Sequence, residues 1–356
     1  TPTDNDKWSF SCWVKRSGPL DINQYTLVGA SDGSNYTEIH FQPTNKFRIG
    51  DYQGGGLEYE LITERYFRDV GAWYHMLYVY DSANGTPGDR MKLYINGVEE
   101  TDFATDTNPS SGQNSMINSA VSHTLGSNVA EGGTVYFDGY MAEVVFCDGQ
   151  AYGPTDFGEF NADSPTVWQP IDPSGLTFGN NGCYLDFEDS ADLGADVSGN
   201  SNDWTLNNID ATDQATDSPT NNFSTMNPLD NYYNSAVFSL GNCKVATNGS
   251  THAYNTGTVG LSAGLWYWEV KVTTSESSHD NLIGIADKPA DATNNYLGED
   301  ANAYGLYGYN GDIRNNGSGA SYGVSYSTDV IGVYLDLNAN KLYFAKDGVI
   351  MNSGTG

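Results

Sequence analysis

The chain has 356 residues, with 15 Lys and Arg against 45 Asp and Glu for a formal charge of −30; it is 38% hydrophobic and 13% aromatic. That much apolar surface argues against wholesale disorder despite 41 Gly, and the length suggests two domains with an ordered connector. So acidic a surface repels phosphates and anionic bilayers, so neither nucleic acid binding nor membrane insertion is expected, and no apolar run approaches the ~18 residues of a span.

The charge reads first as solubility in salt-screened surroundings, and second as a site for a cation or a specific ligand. The opening TPTDNDKWSF shows neither a basic region nor an apolar run, but the chain reads as starting inside a domain. Four cysteines, Cys12, Cys147, Cys183 and Cys243, are too scattered for a metal knuckle or disulfide framework. Buried reduced thiols are the default at Cys12 and Cys147. The compartment stays open.

Period-2 runs bounded by Gly, Asn, Asp and Pro recur along the chain, and no helical period competes with them. WSFSCWV puts Trp8, Phe10, Cys12 and Val14 on one face. WYHMLYVYD (73–81) is a long strand. MKLYINGVEE (91–100) alternates Met91, Leu93 and Ile95 and reverses at Asn96-Gly97, a pair suited to a two-residue hairpin. MAEVVFCD (141–148) is a further strand.

From about 150 to 235 Pro, Asp, Asn, Ser and Thr rise; YLDFED (184–189) and DWTLNN (203–208) read as short strands, and DATDQATDSPTNN (210–222) as an exposed linker. Strong strands then return. LWYWEVKV (265–272) predicts Trp266, Trp268, Val270 and Val272 buried on one face. LIGIA (282–286), VIGVYLDL (330–337) and KLYFA (341–345) follow, the last meeting a turn near Asp347-Gly348.

WYHMLYVYDSANG…MKLYINGV and VIGVYLDLNANKLYFAKDGV share one grammar: a long strand ending near Asp, an Asn-bearing turn, a Lys-Leu-Tyr strand and a tight turn before Gly-Val. The predicted fold is all-β: two antiparallel jelly-roll sandwiches over 1–172 and 223–356, joined by a loop-rich connector at 173–222.

FSCWVKR (10–16), WYHMLYVYD, MKLYINGVEE and TLGSN…VYFDGYMAEVVF (124–146) occur in the order of a LamG or concanavalin A-like jelly roll, which the first 150 residues resemble. SAGLWYWEVKV, LIGIA, AYGLYGYNGDIRNNG (303–317) and VIGVYLDLNANKLYFAKDGV resemble a SPRY domain. That family is also a concanavalin-like sandwich, binds protein or peptide through end loops and carries no catalytic residues. The LamG resemblance implies an earlier strand beside the closing one, and the SPRY resemblance a further final strand. Both ends are therefore expected to be cut from larger folds, completed within the same polypeptide or by a neighbouring subunit.

Paired with GNNGCYLDFED…DVSGNSNDW between them, the modules resemble structural proteins of tailed phages, particularly aquatic ones. The implied role is a virion fibre, spike or capsid decoration that binds a host-surface glycan or protein, associates with other virion subunits and forms a homo-oligomer. The alternatives are a secreted bacterial lectin or adhesin, and a glycoside hydrolase.

A laminarinase-type hydrolase needs Glu-x-Asp-x-(x)-Glu on one strand so that its carboxylates share a face. No such run exists: Glu188 and Asp189 are adjacent, and Glu100-Thr101-Asp102 lacks the second Glu. His40, His75, His123, His252 and His279 have no nucleophile motif nearby, and His75 inside an aromatic strand reads as packing. Gly54-Gly55-Gly56 is a turn, with no Lys-Ser/Thr or helix start to make a phosphate cradle. No catalytic residue is expected.

Calcium is the one cofactor the residues suggest. Asp196, Asn200 and Asp203, with Asp192 beside them in DLGADVSGNSND, offer hard oxygen ligands, and Asp138 before Gly139 lies where LamG-type sandwiches hold calcium. An Asx-turn loop that caps its own backbone is the competing reading. For ligand binding the candidates are Tyr307, Tyr309, Asp312 and Arg314, a Tyr/Arg group of the kind that forms binding hot spots. The competing reading there is tyrosines packing the end of a sandwich.

Overall fold

Alternation in WSFSCWV does set one face inward: Trp8, Phe10, Cys12 and Val14 are all buried in one core. The computed structural model describes residues 1–18, 20, 23–128, 135–231, 236–247, 253–274, 281–289, 291 and 296–356; His252 and His279 lie outside these. The chain divides into two compact units, Thr1–Phe223 and Ser224–Gly356. Among the described residues there is no α-helix, and no helix long and apolar enough to cross a membrane.

The first unit runs β1 (Lys7–Arg16), β2 (Tyr25–Ser31), β3 (Tyr36–Phe41), β4 (Lys46–Gln53), β5 (Gly56–Tyr66), β6 (Trp73–Asp81) and β7 (Met91–Ile95). It continues with β8 (Val98–Glu99), β9 (Phe103–Thr107), β10 (Ser122–Leu125), β11 (Gly139–Asp148), β12 (Gly158–Phe160), β13 (Trp168–Pro170) and β14 (Cys183–Leu185). Two six-stranded antiparallel sheets result, ordered β14-β11-β1-β6-β7-β8 and β10-β2-β3-β4-β5-β9. Their facing sides bury Met76, Tyr78, Met91, Leu93 and Ile95 against Ile39, Phe41, Phe47, Ile49 and Leu61, a sandwich held by interdigitated apolar side chains.

β1 is buried on both faces. Behind it, Trp13, Trp73 and Trp168 form one cluster, and Leu77, Val145, Cys147, Phe157, Phe178 and Tyr184 another. Phe157, Trp168 and Phe178 come from the stretch that reads as irregular chain, so those turns cover the outer face of the first sheet.

Three expectations change here. The strand beside closing strand β11, away from β1, is β14, from later in the chain rather than earlier. DWTLNN is not a strand: Trp204 caps Gly194 through its backbone N–H (2.8 Å), and its ring packs on the core. And 173–222, read as a loop-rich connector, belongs to the first compact unit. Its end is strapped to β1, as Lys15 Nζ donates to Asp217, Asn222 and the Phe223 carbonyl. Composition could not show this, because the partner is β1, near the start of the chain.

The second unit holds β15 (Ala236–Ser239), β16 (Lys244–Thr247), β17 (Leu265–Lys271), β18 (Leu282–Ile285), β19 (Tyr304–Tyr307) and β20 (Asp312–Asn315). β21 (Ser318–Ser321), β22 (Val330–Asp336), β23 (Lys341–Lys346) and β24 (Val349–Ile350) complete it. Sheets β17-β22-β23-β24 and β18-β19-β20-β21 enclose Ile283, Leu306, Tyr326, Ile331, Val333 and Phe344.

The repeated grammar is structural. β6-β7-β8 and β22-β23-β24 are both antiparallel meanders closed by two-residue turns, at Asn96-Gly97 (φ 49° and 78°) and Asp347-Gly348 (φ 47° and 80°). Both residues of each turn take the positive φ that matches strand twist.

Trp266 departs from the prediction. Trp268 and Val270 pack on the core, but Trp266 is 44% exposed. β17 is an edge strand, and Trp266 Nε1 donates back to the Ala263 carbonyl at 2.7 Å, which holds the ring at the sheet margin.

Candidate functional site

In the second unit, β19 and β20 pair with Leu306 opposite Ile313, and Leu306 is fully buried. Tyr326 Oη donates to the Leu306 carbonyl at 2.8 Å, fixing the strand from beneath. The connecting loop closes as Gly311 N–H donates to the Tyr307 carbonyl (2.8 Å); at φ 76° with Val324 N 2.5 Å from a would-be Cβ, only glycine fits there.

This frame brings three of the four candidate ligand residues together and sets the fourth beside them. Arg314 lays its guanidinium 4.7 Å from the centre of the Tyr307 ring, and Tyr309, 59% exposed, lies 6.0 Å from Tyr307. Asp312 is two residues from Arg314 and therefore on the same face of β20; its carboxylate accepts from Asn310 Nδ2 at 2.6 Å. The result is an aromatic surface bearing one fixed cation and one carboxylate, on two short strands and the turn between them. Such a surface can stack against an apolar or sugar face and pair with an anion or hydroxyl.

The candidate calcium residues do not converge. Asp196 accepts from the N–H groups of Tyr184, Ser198 and Asn202 and from Ser198 Oγ, each at 2.9 Å. Burial works against the charge, but these hydrogen bonds outweigh it and hold the carboxyl below its usual range. Asp203 caps Asp196 N–H (3.0 Å), and Asn200 Nδ2 donates to the carbonyls of Gly179 and Gly182. Asp138 is engaged with Ser17 Oγ at 2.7 Å. Among the described residues no group of three or more His, Cys, Asp or Glu is placed to hold a metal. The Asp196 and Asp203 carboxylates and the Asn200 amide are spent on loop backbone, the pattern of an Asx-turn loop.

His75 is wholly buried. Trp168 Nε1–H donates to its Nδ1 (3.1 Å), which leaves Nε2–H to donate to Ser11 Oγ at 2.8 Å. Burial pushes its pKa down to about 3, so this Ser–His contact is sealed packing rather than an activated nucleophile.

One site escaped the sequence. In β11 the pairing with β1 slips between Ser11 and Trp13, and Glu143 takes φ 50° in that bulge. Its carboxylate accepts from Tyr184 Oη at 2.5 Å, in a cleft of about 500 Å³ also lined by Asp172, Asp186, Glu188 and Val197. Burial, then the neighbouring charges of Asp186, Glu188 and Asp172, raise the Glu143 pKa despite the Tyr184 hydrogen bond. Burial and the Glu143 carboxylate likewise raise that of Tyr184. The only signal in MAEVVFCD was a charged residue inside an apolar strand.

Comparison with known proteins matches one part of each unit. Residues 1–151 match the Laminin_G_3 family, described as the concanavalin A-like lectin/glucanases superfamily, and residues 265–355 match the SPRY domain. No curated protein matches the chain. Similar solved structures include a native heptameric SAP-like pentraxin from Limulus polyphemus, with 13% identity and a TM-score of 0.26, over 41% of this chain and 65% of that one. They also include the Ruminococcus gnavus IT-sialidase CBM40 bound to α2,3-sialyllactose, with 12% identity and a TM-score of 0.30, over 42% and 78%. Mouse laminin α1 domains LG4-5 match at 10% identity with a TM-score of 0.30, over 99% and 72%. The chain thus carries, in order, a concanavalin A-like lectin/glucanase-type module and a SPRY module.

Proposed function

We propose that the protein is a non-enzymatic recognition component of a virion appendage, a fibre, spike or capsid decoration, that binds a surface glycan or protein through its second unit. The observation that carries the binding role is the Arg314 guanidinium seated on Tyr307 across paired strands, beside exposed Tyr309 in the turn that joins them. Rigid aromatic anchors lose little entropy on binding, and an Arg already stacked is pre-organised. The matched lectin/glucanase and SPRY modules support recognition as the common theme. The virion assignment rests on the pairing of the modules and the GNNGCYLDFED…DVSGNSNDW stretch between them.

A glycan array probed with the soluble protein tests the binding role. Binding to a defined ligand class that drops by about tenfold or more in Arg314→Ala and Tyr309→Ala is the expected result. Binding unaffected by both substitutions removes the site.

A second reading draws on the Glu143 cleft, where a carboxyl of raised pKa lies among other acidic groups, the pairing that glycoside hydrolysis uses. Release of sugars from a polysaccharide panel, abolished in Glu143→Gln, would replace the non-enzymatic reading.

A further inference from the structure

Lys15 stands on β1 with its side chain entirely out of solvent, and three acceptors from the end of the first unit close on its Nζ. They are Asp217 Oδ2 at 2.7 Å, Asn222 Oδ1 at 2.8 Å and the Phe223 carbonyl at 2.7 Å. Trp73 Nε1 donates to the other Asp217 oxygen at 2.8 Å, and Asn222 Nδ2 to the Gly71 carbonyl at 2.8 Å, so acid and carboxamide are both oriented. The Tyr140 ring centre lies 5.7 Å from Nζ, beside the cluster of Trp13, Trp73 and Trp168. A buried ammonium, a carboxylate and a primary carboxamide therefore meet at one point.

We propose that Lys15 and Asn222 join in an autocatalytic isopeptide bond, with Asp217 as the proton carrier. A proton passes from Nζ to Asp217 Oδ2 across their 2.7 Å hydrogen bond. The freed lone pair on Nζ forms the bond to Asn222 Cγ, and the carbonyl electrons move onto Oδ1. When the carbonyl re-forms, the Cγ–Nδ2 bond breaks.

Of the three ammonium protons, one stays on the new amide, one reaches the departing Nδ2 by way of Asp217 to complete ammonia, and one remains on the Asp217 carboxyl. Charge and atoms balance with no oxidant, reductant or outside reactant. Asn222 is exposed at the outer end of the pocket, which gives ammonia its exit. Fixed contact between the groups replaces chemical activation. The bond would tie the first strand of the unit to its last residues, so that load entering at one and leaving at the other bypasses the chain between.

Intact-mass spectrometry of the purified protein, with peptide mapping, reads the result directly. The expected mass is the sequence mass less one ammonia, with a branched peptide joining Lys15 to Asn222. Asn222→Ala and Asp217→Asn are both expected at full sequence mass and still folded by circular dichroism. Full mass in the unaltered protein after prolonged incubation at neutral pH overturns the proposal. Loss of one water with a Lys15–Asp217 branch overturns it as well, by assigning the acyl group to the wrong side chain.

Discussion

The Lys15 ammonium lies 2.7 Å from the Asp217 carboxylate across 202 residues of chain, with both side chains withdrawn from solvent. This contact makes 210–222 part of the first unit rather than a tether. Removing one member of such a pair leaves a buried charge uncompensated, so Asp217→Ala is expected to destabilise the first unit by about 3–5 kcal/mol. Denaturant unfolding checks it, and an unmoved midpoint contradicts it.

Acid should weaken the first unit before its carboxylates titrate. Burial lowers His75 to about 3, and burial with the Arg48 charge lowers His40 to about 3, against 6.5 unfolded; His123 is lowered too. A contact between His40 Nδ1 and Glu38 at 3.6 Å does not offset burial. Because the folded values are depressed, the unfolded chain binds protons first. The stabilisation is full above 6.5 and is lost as pH falls toward 3. Stability should fall by up to about 1.4 kcal/mol per pH unit for each histidine. Melting followed from neutral pH down to the start of carboxylate titration is the check, and a flat profile would refute it.

Legibility tracked locality. Asn96-Gly97 and Asp347-Gly348 were readable because turn and flanking strands lie within ten or so residues and each position needs its own backbone conformation. The inward face of WSFSCWV was readable from alternation alone. Tyr184 and Leu185 were readable as part of a strand, but the place of that strand beside β11, the Lys15 clasp and the Glu143 bulge were not, since each is set by a partner 37 or more residues away. The binding candidates were read as a loop with a Tyr/Arg group; the β19–β20 hairpin that sets Arg314 against Tyr307 was not read from the sequence. The calcium candidates could not be separated by sequence from an Asx-turn loop, because Asp and Asn that cap their own loop have the same spelling as metal ligands.

Gly97 tests the first hairpin. It takes φ 78°, and a Cβ there would lie 2.5 Å from the Trp168 ring, while Asn96 Oδ1 accepts the His75 N–H at 2.7 Å. Gly97→Ala therefore combines backbone strain with displacement of a buried indole, and a loss of about 2–4 kcal/mol is expected in thermal or denaturant melts. Gly85→Ala, where a Cβ would meet nothing within 4 Å, is the neutral control.

The two tryptophans of β17 should separate. Trp268→Ala removes a ring packed on the second core and should lower stability by about 2–4 kcal/mol, somewhat less than for a fully buried aromatic. Trp266→Ala removes a ring that is 44% exposed and should fall within about 1 kcal/mol. Paired melts of the two variants decide it: equal losses would mean that Trp266 is buried after all.

Glu143 should be a residue that the fold would rather do without. Its folded pKa is raised above the ordinary 4.5 of a glutamate, first by burial and then by Asp186, Glu188 and Asp172. A raised carboxyl favours folding below its unfolded pKa and loses that contribution as pH rises through the folded value, so at neutral pH the charge opposes the fold. Glu143→Gln keeps an acceptor for Tyr184 Oη and removes the charge. It is expected to raise the melting midpoint at neutral pH and to leave it unchanged in acid well below 4.5. A midpoint lowered at neutral pH would show the carboxylate to be structural. A raised one would mark Glu143, placed by a bulge in a position of positive φ and lining a cleft, as retained for what it binds rather than for what it stabilises.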